Sequence, residues 1–193
     1  MKYIKYLINY LFSFGYDLYF FLFSNVRSRV QGLNYYKKSK KYPLYLQEGN
    51  MSVAIQDFAT KYCVGKGLDI GAGQWVFEGA RAIENNENEN ALKINEIDNS
   101  LDYVYSSHSL EHIKDWKKAL AEWARVLKPN GIIFLYLRHQ SCQMWSVKVN
   151  KQHLWMPTTF EVINVLKNDL KMTVEANTFM PDGFLSFVVV AKK

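Results

Sequence analysis

A chain of 193 residues, 49% hydrophobic and 22% charged, has the size and composition of one folded domain with an appendage, not of a disordered or fibrous protein. Its two cysteines, Cys63 and Cys142, are too few for a disulfide framework or a four-ligand zinc site, which suits a reducing, cytoplasmic compartment and predicts no metal centre. The net charge of +6 is unevenly placed: residues 1–47 carry +7 and the remainder −1, which argues against a nucleic-acid-binding domain with a basic stripe along its body.

The first segment, residues 1–47, is aromatic and basic, and the reading divides the chain there from a domain over 48–193. In Tyr3–Phe23 the polar residues Lys5, Asn9, Ser13 and Asp17 recur every fourth position, so they drift along one flank of an amphipathic helix with a wide aromatic face. Arg27–Tyr42 follows with six basic residues and no acid. Three arrangements fit. The helix packs on the domain or on a second subunit; or residues 1–41 make a peripheral contact at the inner face of the cell membrane, each basic residue adding on the order of 1 kcal/mol at an anionic surface; or the helix spans the bilayer. Lys5 and Asp17 oppose the span at roughly 2.5–3.5 kcal/mol each at mid-bilayer. No small-residue cleavage site marks a signal peptide.

Beyond it, the stretch from Asn50 to Gly65 reads as a helix, with Asn50 or Ser52 as its cap. Gly67–Ile70 is a short buried strand and Leu101–Ser107 a second. Asp115–Gly131 is a helix by the spacing of Trp116, Ala119, Leu120, Trp123, Val126 and Leu127, stopped by Pro129-Asn130-Gly131. Ile132–Leu137, apolar throughout, suits a sheet centre covered on both faces. Thr158–Leu170 is a further helix, and Met172–Phe179 and Phe184–Ala191 form a final strand pair turning at Pro181-Asp182-Gly183. Strands alternating with helices predict an α/β fold, a Rossmann-like, mainly parallel sheet with a C-terminal antiparallel hairpin.

Ligands of such sheets bind outside the carboxyl ends of the strands. Three motifs fall there: Asp69-Ile70-Gly71-Ala72-Gly73, Ser106-Ser107-His108 and Arg138-His139. Two glycines after a strand permit a tight turn and close approach to a ligand, a weak signal alone. Position 76 is Val76, so the dinucleotide fingerprint is broken, and no Walker loop is present. An acid two residues before the first glycine would repel a pyrophosphate and suits a cationic ligand.

With these residues in view, the chain resembles the class I S-adenosylmethionine-dependent methyltransferases of the small type 11 sort, over roughly residues 65–190. Leu68–Gly73 looks like the cofactor loop. The more specific match is Ser-Ser-His-x-Leu-Glu-His at Ser106–His112, followed by Arg-Val-Leu-Lys-Pro-Asn-Gly at Arg125–Gly131. The resemblance implies S-adenosyl-L-methionine as cofactor, held by Asp69, Gly71, Ala72, Gly73, Trp75, Ala91, Leu92, Ser107 and His108. It also implies an acid ending the second strand that accepts both ribose hydroxyls, here Glu84, or Glu87 or Glu89 if that strand ends later. The departure is the opening: residues 74–100 must hold what the usual fold spreads over two helices and two strands. Gln74–Ala80 is therefore expected as an extended turn or a single helical turn, the mark of a compact subgroup with a shortened first crossover.

Transfer of a methyl group from a sulfonium needs alignment and exclusion of water, and for a hydroxyl acceptor a general base. His108, His139 and His153 all fall at the expected sheet edge and are the candidate catalytic residues, His139 and His153 ahead of His108. His112, with Glu111, is read as structural. Arg138 and Lys151 could hold an anionic acceptor, and Tyr136, Trp145 and Trp155 could pack over a ring. Compact relatives of this kind often accompany bacterial surface-glycan biosynthesis, so the resemblance implies O-methylation of a small molecule or of a sugar or sugar-linked phosphate precursor. The alternative is a non-catalytic, membrane-associated scaffold that kept the fold. No motif for methylation of nucleic-acid amino groups is present.

Overall fold

The computed structural model describes residues 52–73, 75–141, 147, 151–182 and 186–193. The N-terminal segment 1–47, the alternative cap Asn50, Trp145 and Gly183 lie outside the described residues. The described chain runs α1 (Ser52–Ala59), β1 (Gly67–Ile70), β2 (Ala80–Ile83), β3 (Leu101–Ser107), a 3-10 turn (Leu110–His112), α2 (Trp116–Val126), β4 (Leu127–Arg138), α3 (Thr159–Asn164) continued by a π-helical turn (Val165–Asp169), β5 (Thr173–Asn177) and β6 (Ser186–Lys192). The six strands form one sheet in the order β2-β1-β3-β4-β6-β5. β1 to β4 pair in parallel, and β6 runs antiparallel to both β4 and β5, as the C-terminal hairpin predicts.

Several boundaries differ from the sequence reading. α1 ends at Ala59, and residues up to Cys63 continue as hydrogen-bonded turns, because Cys63 and Tyr62 both donate back to the Ala59 carbonyl. α2 stops at Val126, before the Pro-Asn-Gly signal. Leu127 already pairs with Leu101, and the register shift that follows absorbs Lys128–Gly131, with Asn130 at φ +67°. The last predicted helix divides into a short α-helix and a π-helical turn. Its start follows from Thr158, whose side chain accepts from the Glu161 backbone N–H.

The sheet is buried on both faces. One face carries Leu68, Val104, Ile133, Leu135 and Val189 against Ala119, Leu120 and Trp123 of α2 and Val162 of α3. The other carries Tyr103, Tyr105, Phe134, Tyr136 and Val190. On this second face the shortened crossover shows its cost and its remedy. No helix lies between β1 and β2 among the described residues; Trp75 and Phe77 of the connecting segment are buried instead. Phe77 stacks on Tyr105 at 4.6 Å, Tyr105 on Phe134 at 5.5 Å, and Phe58 of α1 closes on Phe134 at 6.0 Å. Aromatic rings, each able to bury 150–250 Å², thus cover the area a helix would have covered.

The connection from β2 to β3, also without a helix, is fixed by α2. Arg125 donates to the carbonyls of Ile94 and Glu96 and pairs with Asp98 and Glu122. Trp123 Nε1 donates to the Ala91 carbonyl at 2.9 Å. These bonds supply the partners that helical backbone would have supplied internally.

Candidate active site

The carboxyl ends of β1 to β4, the carboxyl end of β5 and the amino end of β6 meet along one edge of the sheet, because Arg138 is the register partner of Ser186. The glycine loop occupies its β1 side. Gly71 donates to the Ile83 carbonyl at 2.8 Å, which ties the loop to β2, and Ala72 accepts from the Trp75 N–H at 3.0 Å. Gly71 sits at φ +73°, and a Cβ there would lie 2.1 Å from Ser109 Oγ, so the chain's own Ser109 uses that space. Gly73 is different: at φ +54° it has nothing within 4 Å of where a Cβ would be. On that side the loop is an open cradle of bare backbone.

Two carboxylates accept backbone N–H groups of this loop and of the segment that follows it. Glu84, exposed and immediately after β2, accepts the Gly73 N–H on Oε1 at 2.7 Å. Asp69, buried within β1, accepts the Phe77 N–H on Oδ2 at 2.8 Å. The Asp69 carboxyl is pushed up to about 7, chiefly by burial and further by the Glu84 charge, against the Phe77 bond, which lowers it. The two other acids weighed for the ribose are placed differently. Glu89 is held bidentate by Arg81 at 2.7 and 3.0 Å, and Glu87 is exposed in the loop beyond. Ala91 packs against the core under Trp123, whereas Leu92 is 44% exposed.

Along the β3–β4 side, Ser107 and His108 are buried. His108 adopts φ +51°, donates its N–H to the Tyr136 carbonyl, and places Nε2 3.0 Å from Ser186 Oγ. Tyr136 is fully buried, and its hydroxyl donates to Asp182 Oδ2 at 2.5 Å, while Asp182 Oδ1 accepts the Ser186 N–H at 3.0 Å. Asp182 joins the site although the sequence reading took it for a turn residue. Its only local signal was that turn, since the partner Tyr136 lies 46 positions away. His139, half-buried, has Nδ1 2.8 Å from Ser141 Oγ and Nε2 3.2 Å from the Phe179 carbonyl. Burial lowers its pKa, against the Phe179 carbonyl and the Asp182 charge, which raise it.

His153 is buried, edge-on against His112 at 4.6 Å. The cause is the segment after residue 150, which docks on the 3-10 turn: Leu154 N–H donates to the Glu111 carbonyl, and the Gln152 carbonyl meets His112 Nδ1. Trp155 donates Nε1 to the Leu110 carbonyl and stacks on Trp116 at 4.2 Å, which commits its ring to the fold. Arg138 acts on the fully buried Glu111: burial raises that carboxyl, and the His112 and Arg138 charges hold it back. Lys151 is exposed. Among the described residues no group of three or more His, Cys, Asp or Glu side chains could hold a metal, and no helix is long and apolar enough to cross a membrane.

A parallel sheet ending in an antiparallel hairpin, with a glycine cradle and two carboxylates at its first crossover, defines a class I methyltransferase fold. A family model described as a methyltransferase domain matches residues 49–135. Solved structures of the same fold include a Methanosarcina mazei SAM-dependent methyltransferase (TM-score 0.56, 16% identity, covering 70% of this chain and 96% of that one). A Thermotoga maritima protein described as a SAM-dependent methyltransferase, possible histamine N-methyltransferase, superposes with TM-score 0.53 at 15% identity, covering 77% of this chain and 96% of its own. An Aquifex aeolicus SAM-dependent methyltransferase gives 0.52 at 14%, covering 78% and 97%. None of the curated proteins matches the chain by sequence. The residues present fit the cofactor of this class: an open glycine cradle admits its backbone-hugging portion, and carboxylates suit its cationic groups and its diol.

Proposed function

We propose that the protein methylates an oxygen atom of a small molecule, with sugar hydroxyls or sugar-linked phosphates of surface-glycan precursors as the acceptor class. The observation that carries the reading is the meeting of Glu84 with the Gly73 N–H at 2.7 Å beside the buried Asp69. It offers an exposed carboxylate beside the cradle, with one lone pair on the Gly73 N–H and the others left for a ribose diol. When bound, S-adenosylmethionine supplies an electrophilic methyl group carried on sulfur. The chain's own part is to hold that cofactor with Asp69, Gly71, Ala72, Gly73 and Glu84, and to align and deprotonate the acceptor. A neutral, half-buried His139 at the same edge suits a hydroxyl, which needs a base, more than a phosphate oxygen, which does not. Tyr136, Asp182, Ser186 and His108 hold the wall beside it. Residues 1–41, where the positive charge is concentrated, would bring the enzyme to an anionic membrane surface on which lipid-linked precursors lie.

Calorimetric titration with S-adenosylhomocysteine tests the cofactor half without knowledge of the acceptor. Micromolar binding that Glu84→Gln weakens about ten-fold or more is the expected result, from one charged hydrogen bond lost. A folded protein that takes up no ligand would remove the enzymatic reading and favour the scaffold. Acceptor screening then begins with glycan precursors, and transfer only to amines would overturn the oxygen assignment.

A further inference from the structure

The two ring nitrogens of His139 have fixed and different roles. The Phe179 carbonyl, 3.2 Å from Nε2, can only accept, so Nε2 carries the hydrogen. The Ser141 backbone N–H points at Nδ1 from 3.2 Å and can only donate, so Nδ1 holds the lone pair. Ser141 Oγ stands 2.8 Å from that same Nδ1 and therefore donates its hydroxyl proton to it. The basic nitrogen of His139 thus faces Ser141, not the open edge. The serine oxygen keeps its own lone pairs and is half-buried on the loop that leaves β4. The ring is steadied by Phe187, edge-on at 6.2 Å, and Asp182 is the charged group that acts on it.

We propose that Ser141 is a catalytic residue of the methyl transfer, passing the acceptor's proton to His139 Nδ1. The inference rests on the oxygen-methylation reading above. As the acceptor oxygen forms its bond to the methyl carbon, the carbon–sulfur bond breaks and sulfur keeps the electron pair. The acceptor's hydroxyl proton moves to Ser141 Oγ while the serine's own proton moves to Nδ1. The product is a methyl ether, a neutral thioether and an imidazolium whose Nε2–H stays on the Phe179 carbonyl near the Asp182 carboxylate. The imidazolium then loses its proton to water, and the serine is unchanged.

Two readouts test this on the full chain. In nitrogen-15 NMR with S-adenosylhomocysteine bound, His139 should be the Nε2–H tautomer; Ser141→Ala should move its Nδ1 resonance and leave Nε2 in place, and Asp182→Asn should lower its pKa. In turnover with [methyl-³H]S-adenosylmethionine and small-molecule and lipid-linked fractions from the producing cells, Ser141→Ala and His139→Gln should each lower kcat by about 10²-fold or more, with the cofactor KM unchanged. The double variant should be no worse than the poorer single one, since the pair acts as a unit, and Ser141→Thr should restore most of the rate. An Nδ1–H tautomer, or Ser141→Ala at the wild-type rate, overturns the relay alone. A wild type that binds S-adenosylhomocysteine yet transfers nothing overturns the transferase reading, and the relay with it.

Discussion

The Phe77 backbone N–H donates to Oδ2 of the buried Asp69 across eight residues, while the Phe77 ring stacks on Tyr105. One residue of the shortened crossover therefore both closes the aromatic face and orients the acid that precedes the glycine loop. The acid has a consequence for pH. Its carboxyl titrates near 7 in the folded protein against 3.8 ordinarily, because burial disfavours the charge. Between those values the native state holds a proton that the unfolded chain has released, so stability falls as pH rises from about 4 to 7. Thermal melts of the ligand-free protein should show this fall, and Asp69→Asn should flatten it. A cationic ligand favours the ionised acid, so wild-type affinity should rise with pH through about 7 and then level, with protons released on binding below it.

Glu84 and Glu89 are separated by five positions and by their partners. Glu89→Gln removes one side of the Arg81 ion pair and should leave S-adenosylhomocysteine affinity within about two-fold, since partly exposed pairs contribute only about 0–1 kcal/mol. Glu87→Gln should change neither stability nor affinity. Glu84→Gln should lower affinity about ten-fold with little change in melting temperature. Equal affinities for the Glu84 and Glu87 variants would move the ribose role away from Glu84.

The two loop glycines should fail in different ways. Gly71→Ala would place a methyl against Ser109 Oγ in a positive-φ backbone, and should destabilise the fold by several kcal/mol. Gly73→Ala has open space around it and costs only the left-handed backbone, roughly 1–2 kcal/mol. It should remain folded and lose affinity for S-adenosylhomocysteine, because the methyl fills the cradle. Comparable binding by folded Gly73→Ala and wild type would place the ligand elsewhere.

Phe77→Ala should cost about 3–5 kcal/mol of stability, as for a large buried ring, since no helix lies behind it to close the gap. Val76→Ala, one position earlier and 45% exposed, should cost less than about 0.5 kcal/mol. Urea unfolding of the two variants gives the contrast directly.

Much of this fold was legible because its signals are local. Gly67–Ile70 and Leu101–Ser107 are strands with the bounds the apolar runs implied, and the C-terminal hairpin follows its turn. The missing first helix was visible as a shortage of residues, and the acid after β2 as the first carboxylate beyond Ala80–Ile83. What stayed hidden depends on distant partners. Val126 ends α2 early because Leu127 has Leu101 to pair with. Asp182 needed Tyr136 and Ser186 brought to it by β4 and β6. The partners of Trp155, Trp116 and the Leu110 carbonyl 45 positions upstream, are likewise set by the fold and not by local pattern.

Trimming the first half of the sheet also leaves β2 as its outer border, with the backbone groups of Ala80–Ile83 on that side unpaired by any further strand of the described chain. Such a border invites another chain to add itself, and proteins blunt it by shortness and by charge. Here it is four residues long, and Arg81 stands on it, clamped between Glu89 and Glu96, with Lys66 on the far side of Glu96. Edge-to-edge self-association is opposed by that ionic fence, whose removal would show as slow, concentration-dependent aggregation before any loss of the folded state.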